Sequence, residues 1–246
     1  MATRVWRVLI TVALLFGMSS NGWAYKNGGF KSEAESREYY RRQRDEKHRE
    51  RVRQLAVFDE AIARDPQDAV AHYQRARFRC QPEMRDLKLA LADFDTAIHL
   101  KSDFSQAYFR RALVHANLND FAHCAADLEE ALRLDSSPSS QKVRYRLAAL
   151  YHVSPDESVR DLAKARKIAE GLEIVELQRL PHCELLAAIC ADLGDFDAAV
   201  RWETRRWERQ PADIGDRSNL AAYQRGEIIP QVRCRLRDQL LVIPRD

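Results

Sequence analysis

Glycine and proline are scarce, with eight of each in 246 residues. Ala, Leu, Arg, Asp and Glu dominate instead. That balance favours helices and leaves few positions for the tight turns of hairpin-rich sheets. The chain has no CxxC, no HExxH, no GxSxG and no glycine-rich phosphate loop. The common signatures of redox, metalloprotease, serine hydrolase and nucleotide chemistry are therefore missing. Strong charge of one sign is missing too: the formal net charge is only +3. No long hydrophobic run occurs, the apolar stretch Val8–Met18 being eleven residues, too short to span a bilayer comfortably.

That stretch follows Arg4 and Arg7 and leads to the small-residue end Gly22-Trp23-Ala24. The order is that of a secretory signal peptide, residues 1–24, cut after Ala24; an uncleaved anchor is the competing reading. Losing Arg4 and Arg7 takes the formal charge from +3 to +1. A chain so near neutrality has no global pull toward nucleic acid or anionic lipid. Five cysteines remain, Cys80, Cys124, Cys183, Cys190 and Cys234, and an odd count leaves at least one thiol over. Cys183 and Cys190 lie two helical turns apart, too far to bridge each other. Most read as small core residues, with pairing among the others left open.

What is present is repetition. "ADFDTAIHL" (Ala92 to Leu100) is followed 34 residues later by "ADLEEALRL" (Ala126 to Leu134), and "AVFDEAIAR" (Ala56 to Arg64) precedes the first by 36. Before "ADLEEALRL" stands "QAYFRRALVHANL", with Ala112 at its waist, then the turn "ND". Cys124, Leu128 and Ala131 fall at spacings of four and three, the stripe of a helix. Two helices joined by a tight turn cannot bury their apolar faces alone, so neighbouring hairpins must stack.

On these residues the sequence resembles the tetratricopeptide repeat family. One copy has His72, Arg75-Ala76, Ala90, Phe94 and Ala97; the next has Tyr108, Arg111-Ala112, Cys124, Leu128 and Ala131. A divergent copy has Leu147-Ala148 and Tyr151, and the last has Leu186-Ala187, Gly194, Phe196, Ala199 and Pro211. A half-copy with Phe58, Ala61 and Pro66 precedes them. The resemblance implies an all-α, right-handed superhelix (an α-solenoid) of about four helix hairpins, with an N-terminal half-repeat and a C-terminal capping helix. It organises the chain as signal peptide 1–24, charged lead-in helix 25–50, repeat domain 51–211, and capping helix with tail 212–246. Paired segments such as "LAALYHVSPDESVRDLAKARKIAE" also look like those of exported bacterial tetratricopeptide proteins.

Where the family usually has Leu before the small residue, the first two copies carry Arg75 and Arg111. The same copies have Asp93 and Asp127 in their second helices, whereas the last copy has Leu186 and Trp202. Charge goes with charge and apolar with apolar, so Arg75–Asp93 and Arg111–Asp127 are expected to be ion pairs inside their hairpins.

The flanks differ. "KSEAESREYYRRQRDEKHRERVR" (Lys31 to Arg53) has Ala34 and Val52 as its sole aliphatic residues, a solvated helix held by pairs such as Glu38–Arg42. At the other end "IIPQVRCRLRDQLLVIPRD" alternates Val232, Cys234 and Leu236 with Arg, which reads as a short strand or irregular tail. A helix at Asn219 to Tyr223 is expected to cover the last repeat, as solenoid ends require.

No catalytic site, cofactor site or metal site is expected. His115 and His123 fall on different helices of one hairpin, and Cys124 takes the small core position held by Ala90 and Ala199. His182 and Cys183 are helix neighbours about 100° apart, which cannot cooperate directly. What remains is a surface. In the family, the first helices of successive hairpins line a concave groove for a peptide. Carried over by register, that groove comprises Tyr73, Arg77, Phe109, Arg110, Leu113, Asn117, Lys142, Tyr145 and Arg146. Aromatics beside cations suit an acidic or C-terminal carboxylate peptide. The reading is a non-catalytic, exported scaffold, periplasmic or extracellular, that holds a protein or peptide as an adaptor or assembly factor. A second reading has residues 37–53 hold a membrane; a third has a metal or redox protein built on Cys and His.

Overall fold

The computed structural model describes residues 33–81, 84–135, 140–172, 181–209 and 218–240. The signal segment 1–24 and Pro211 lie outside them. Among the described residues there are eleven helices and no strand. They are α1 (Glu33–Arg64), α2 (Ala69–Arg79), α3 (Leu87–Leu100), α4 (Ser105–Asn117), α5 (Phe121–Leu134) and α6 (Gln141–Val153). Then follow α7 (Leu162–Glu170), α8 (Pro181–Asp192), α9 (Phe196–Arg209), α10 (Ser218–Gln224) and α11 (Pro230–Leu240). Helix α1 runs unbroken through residue 50, where the repeats were expected to begin, and the chain divides into two units between Val57 and Phe58.

In the first unit, α1 is laced by short-range pairs: Arg37–Glu33 and Arg42–Glu38 at 2.5 Å, both four residues apart. These exposed pairs support a helix that has almost no apolar stripe.

The second unit is a stack of hairpins, α2/α3, α4/α5, α6/α7 and α8/α9, each packed on the next. Aspartate starts the second helix of every pair. Asp86, Asp120, Asp161 and Asp195 accept from Leu89, His123, Lys164 and Ala198 backbone N–H groups, satisfying donors that the first helical turn leaves open. Two hairpins turn in the same way. Asn119 (φ 61°) and Gly194 (φ 80°) adopt the left-handed conformation. The next residue then donates five positions back, Asp120 N to His115 O at 2.9 Å and Asp195 N to Cys190 O at 2.8 Å. This is a Schellman ending, and it needs a residue that tolerates positive φ.

Alanine sets the spacing inside the stack. Ala76, Ala90, Ala97, Ala107, Ala112, Ala131, Ala148, Ala187 and Ala199 have no exposed surface. Larger apolar residues such as Phe94, Leu113, Leu128, Leu147, Leu150 and Leu186 fill the remaining space. Each of the four full copies identified in the sequence thus contributes small residues to the core, while Ala61 of the half-copy is only partly buried.

The carboxyl end departs from expectation. α10 packs on α9 as the expected cap, and Tyr223 is buried against Ala187, Ala191 and Ala199. The segment read as a strand or irregular tail is instead helix α11, opened by Pro230, which suits a first helical position. Val232 and Leu236 are fully buried while Cys234 between them is exposed. A strand would have buried all three on one face; the observed period of four belongs to a helix. α11 packs on α6 and α8, the first helices of the third and fourth hairpins.

Candidate partner-binding groove

The two expected ion pairs exist, and each is part of a larger bridge. Arg75 donates Nε to Asp93 Oδ2 at 3.0 Å and Nη2 to Oδ1 at 2.6 Å. Arg111 repeats this with Asp127 at 2.9 and 2.7 Å. The two aspartates are 3% and 5% exposed. The third guanidinium nitrogen reaches back across the stack, from Arg75 to Asp59 and from Arg111 to Asp95, both at 2.7 Å. Arg79 adds a further contact to Asp93 at 2.6 Å. Each arginine therefore ties its own hairpin together and joins it to the helix before it. Hydrogen bonding to Asp93 and Asp127 raises the pKa of Arg75 and Arg111, against the opposing effect of burial.

In the third hairpin the equivalent position is Leu147, fully buried. The link back is there carried by Tyr151, whose hydroxyl donates to Glu129. Burial and the Glu129 bond push the Tyr151 phenol up. Sequence reading found the intra-hairpin carboxylates and missed Asp59, Asp95 and Glu129. Their signal was available: each stands two residues past the Val57, Asp93 and Asp127 positions of the recurring segment.

The expected groove residues divide into four groups. Tyr73 and Leu113 are buried, Leu113 at 1% exposure, and so line no groove. Tyr73 packs against Phe94 and Phe104 at 6.0 and 4.8 Å between ring centroids, in the wall between repeats. Asn117 turns back on its own helix, donating to Leu113 O at 2.8 Å. Phe109 and Tyr145 pack half-buried against the central core. Arg77, Arg110 and Arg146 occupy successive first helices α2, α4 and α6, and Lys142 is exposed. Arg77 lies over the Tyr73 ring at 5.6 Å and donates to Gln74. Burial lowers the Arg146 pKa, and the nearby positive Arg110 acts in the same direction. Arg110 and Arg146 thus share one electrostatic neighbourhood across two hairpins. None of the five cysteines is in a disulfide, and burial pushes the Cys80 and Cys124 thiols up to about 12.

Further along, the first-helix face is covered by the chain itself. α11 seats Val232 and Leu236 in the core cluster that contains Ala148, Ala149, Leu185 and Ile189. Charged contacts flank that apolar seat. Arg233 donates Nε to Asp192 Oδ2 at 2.7 Å and sets Nη2 2.6 Å from Oδ1 as an ion pair, and Arg235 donates to Glu184 at 2.6 and 3.2 Å. Asp192 also bonds the buried His152 ring at 2.6 Å. Burial works to raise the Asp192 pKa, but His152 and Arg233 together hold it below the usual carboxylate value.

A stack of hairpins with small residues at each waist defines an α-solenoid. Residues 105–138 match the family model described as tetratricopeptide repeat. Among solved structures, the chain is similar to YrrB, described as a TPR protein with an unusual peptide-binding site. The TM-score is 0.58 at 18% identity, covering 75% of this chain and 90% of YrrB. It is also similar to MamA 41-end from Desulfovibrio magneticus RS-1, with TM-score 0.56 and 17% identity, covering 72% and 97% of the two chains. Stress-induced-phosphoprotein 1 of Caenorhabditis elegans is 28% identical over 144 residues, which are 58% of this chain and 42% of that protein. The chain thus spans less than half the length of that relative. Residues 105–138 thus carry a tetratricopeptide repeat, and the fold is similar to that of solved tetratricopeptide repeat proteins.

Proposed function

We propose that the protein is a non-catalytic, exported scaffold whose first-helix face receives an amphipathic segment of a protein partner. One observation carries this reading: α11 already lies on α6 and α8 as such a segment, with Val232 and Leu236 buried one turn apart and arginines paired at the flanks. A helix laid into an apolar groove through i/i+4 anchors is a common mode of recognition. On α2, α4 and α6 the face carries Arg77, Arg110 and Arg146, chemistry that suits a partner with carboxylates.

The test is a fluorescence anisotropy titration of the chain from Tyr25 onward with a labelled acidic peptide ending in a free carboxylate. Arg77→Glu/Arg110→Glu should weaken binding about tenfold or more, as expected for reversing two cations. Equal binding by both proteins would remove the acidic-peptide assignment. Export has its own check: the amino-terminal sequence of protein recovered from the cell envelope should begin at Tyr25, and an intact Met1 there would contradict cleavage. Among the described residues no helix is long and apolar enough to cross a membrane.

A further inference from the structure

We propose that His115, Asp120 and His123 form a binding site for one divalent transition-metal ion of the zinc class, at the turn between α4 and α5. The sequence reading set these histidines apart because they belong to different helices of one hairpin. The hairpin is what brings them together. Their rings lie 5.2 Å apart between centroids and nearly parallel at 23°. Asp120 sits between them, with an oxygen 3.2 Å from His115 Nδ1 and 2.8 Å from His123 Nδ1. One ligand atom from each of the three residues falls within a mutual 4.8 Å. Ligand atoms of a tetrahedral zinc ion at about 2.0–2.1 Å stand roughly 3.4 Å from one another, close to the spacing already present.

The donor set suits the ion. Two imidazoles and one carboxylate are ligands that zinc accepts, and three protein ligands leave a fourth position open. His115 is half-buried, and its second ring nitrogen, Nε2, lies 3.9 Å from the buried Asp127 carboxylate, too long for a hydrogen bond. Asp127, held by Arg111, adds negative potential beside the site. The turn is fixed by the Asn119 left-handed residue and the Asp120 N to His115 O bond, so the three side chains share one rigid frame. His123 is exposed, with 72% of its side chain accessible, which places the open position toward solvent. The fourth ligand is then water or a donor brought by a partner.

The test is a titration of the full chain, thiols reduced, with cobalt(II), read by the visible absorption of tetrahedral cobalt and by zinc displacement. One equivalent should bind and produce the band. Zinc should also raise the melting temperature, because the ion binds the folded hairpin alone. His123→Ala removes an exposed ligand without disturbing the core, so the metal-free protein should melt as before while the band and the zinc-induced rise disappear. Asp120→Asn keeps a helix-capping side chain and should weaken binding about tenfold or more, as loss of a charged ligand requires. No band in the unaltered chain, or the same band in His123→Ala, would overturn the assignment; the second result would place the ion on other ligands, such as the Cys234 thiol.

Discussion

At the scale of residues, the sharpest feature is an arginine that serves two carboxylates. Asp127→Ala leaves Arg111, 20% exposed, with Asp95 alone, and Asp95 is itself 61% exposed. Breaking a buried pair from one side should cost on the order of 3 kcal/mol. In a unit of this size that is a fall of about 6–12 °C in melting temperature, readable by a thermal or denaturant melt. Replacing both partners gives a different outcome. Arg111→Leu/Asp127→Leu restores the arrangement that Leu147 and Leu186 show in later hairpins, and it should recover most of that loss, because well-packed apolar replacements of buried pairs are often neutral. If the double variant were as unstable as the single one, the pair would be contributing something other than its own neutralisation. The intra-hairpin partners were legible in the sequence, since Arg and Asp disappear together from later copies. Asp59 and Asp95 were not, because register within one copy says nothing about which side chain reaches across to the next. The His115–Asp120–His123 cluster was missed for a related reason: spacing was weighed along the chain, whereas a Schellman turn folds the two helix ends onto each other.

At the scale of elements, the repeats were readable and the last helix was not. Small residues recurring at a fixed period announce stacked hairpins whatever the remaining positions hold. Among the described side chains of α11 two apolar residues are buried, Val232 and Leu236, and with Cys234 midway between them the pattern imitates a strand. Its helix is decided by tertiary packing on α6 and α8. Leu236→Ala should therefore cost about 2–4 kcal/mol, the usual range for a fully buried leucine. The loss should appear first as faster amide exchange in residues 230–240, with α2 to α5 unaffected. Acid should act on the same element. The Asp192 pKa is depressed in the folded state from an ordinary 3.8, so its contribution is fully present above that value and is lost as pH falls through the lower folded one. Protection of α11 amides should hold from pH 7 to 5 and drop below about pH 4. Asp192→Asn should flatten that acid limb, and an unchanged limb would mean that other carboxylates govern it.

At the scale of the molecule, the hairpins α2/α3 to α8/α9 form one run in which each pair supplies the wall its neighbour lacks. Stability in such an array propagates between adjacent repeats, so enlarging a waist alanine should reach beyond its own hairpin. Ala112→Leu places extra methylenes where there is no exposed surface, an overpacking of about 1–3 kcal/mol, and amide protection should fall in α6 as well as in α4 and α5. The same run presents its first helices as one face, basic over α2, α4 and α6 and occupied by α11 over α6 and α8. The most direct measurement of that face is a titration of a labelled peptide spanning Ile228 to Leu240 into the chain ended at Glu227. The account requires saturable one-to-one binding that is weakened when Leu236 in the peptide is changed to Asp. No saturable binding, or binding indifferent to that change, would contradict the claim that the first-helix face is built to hold an amphipathic segment.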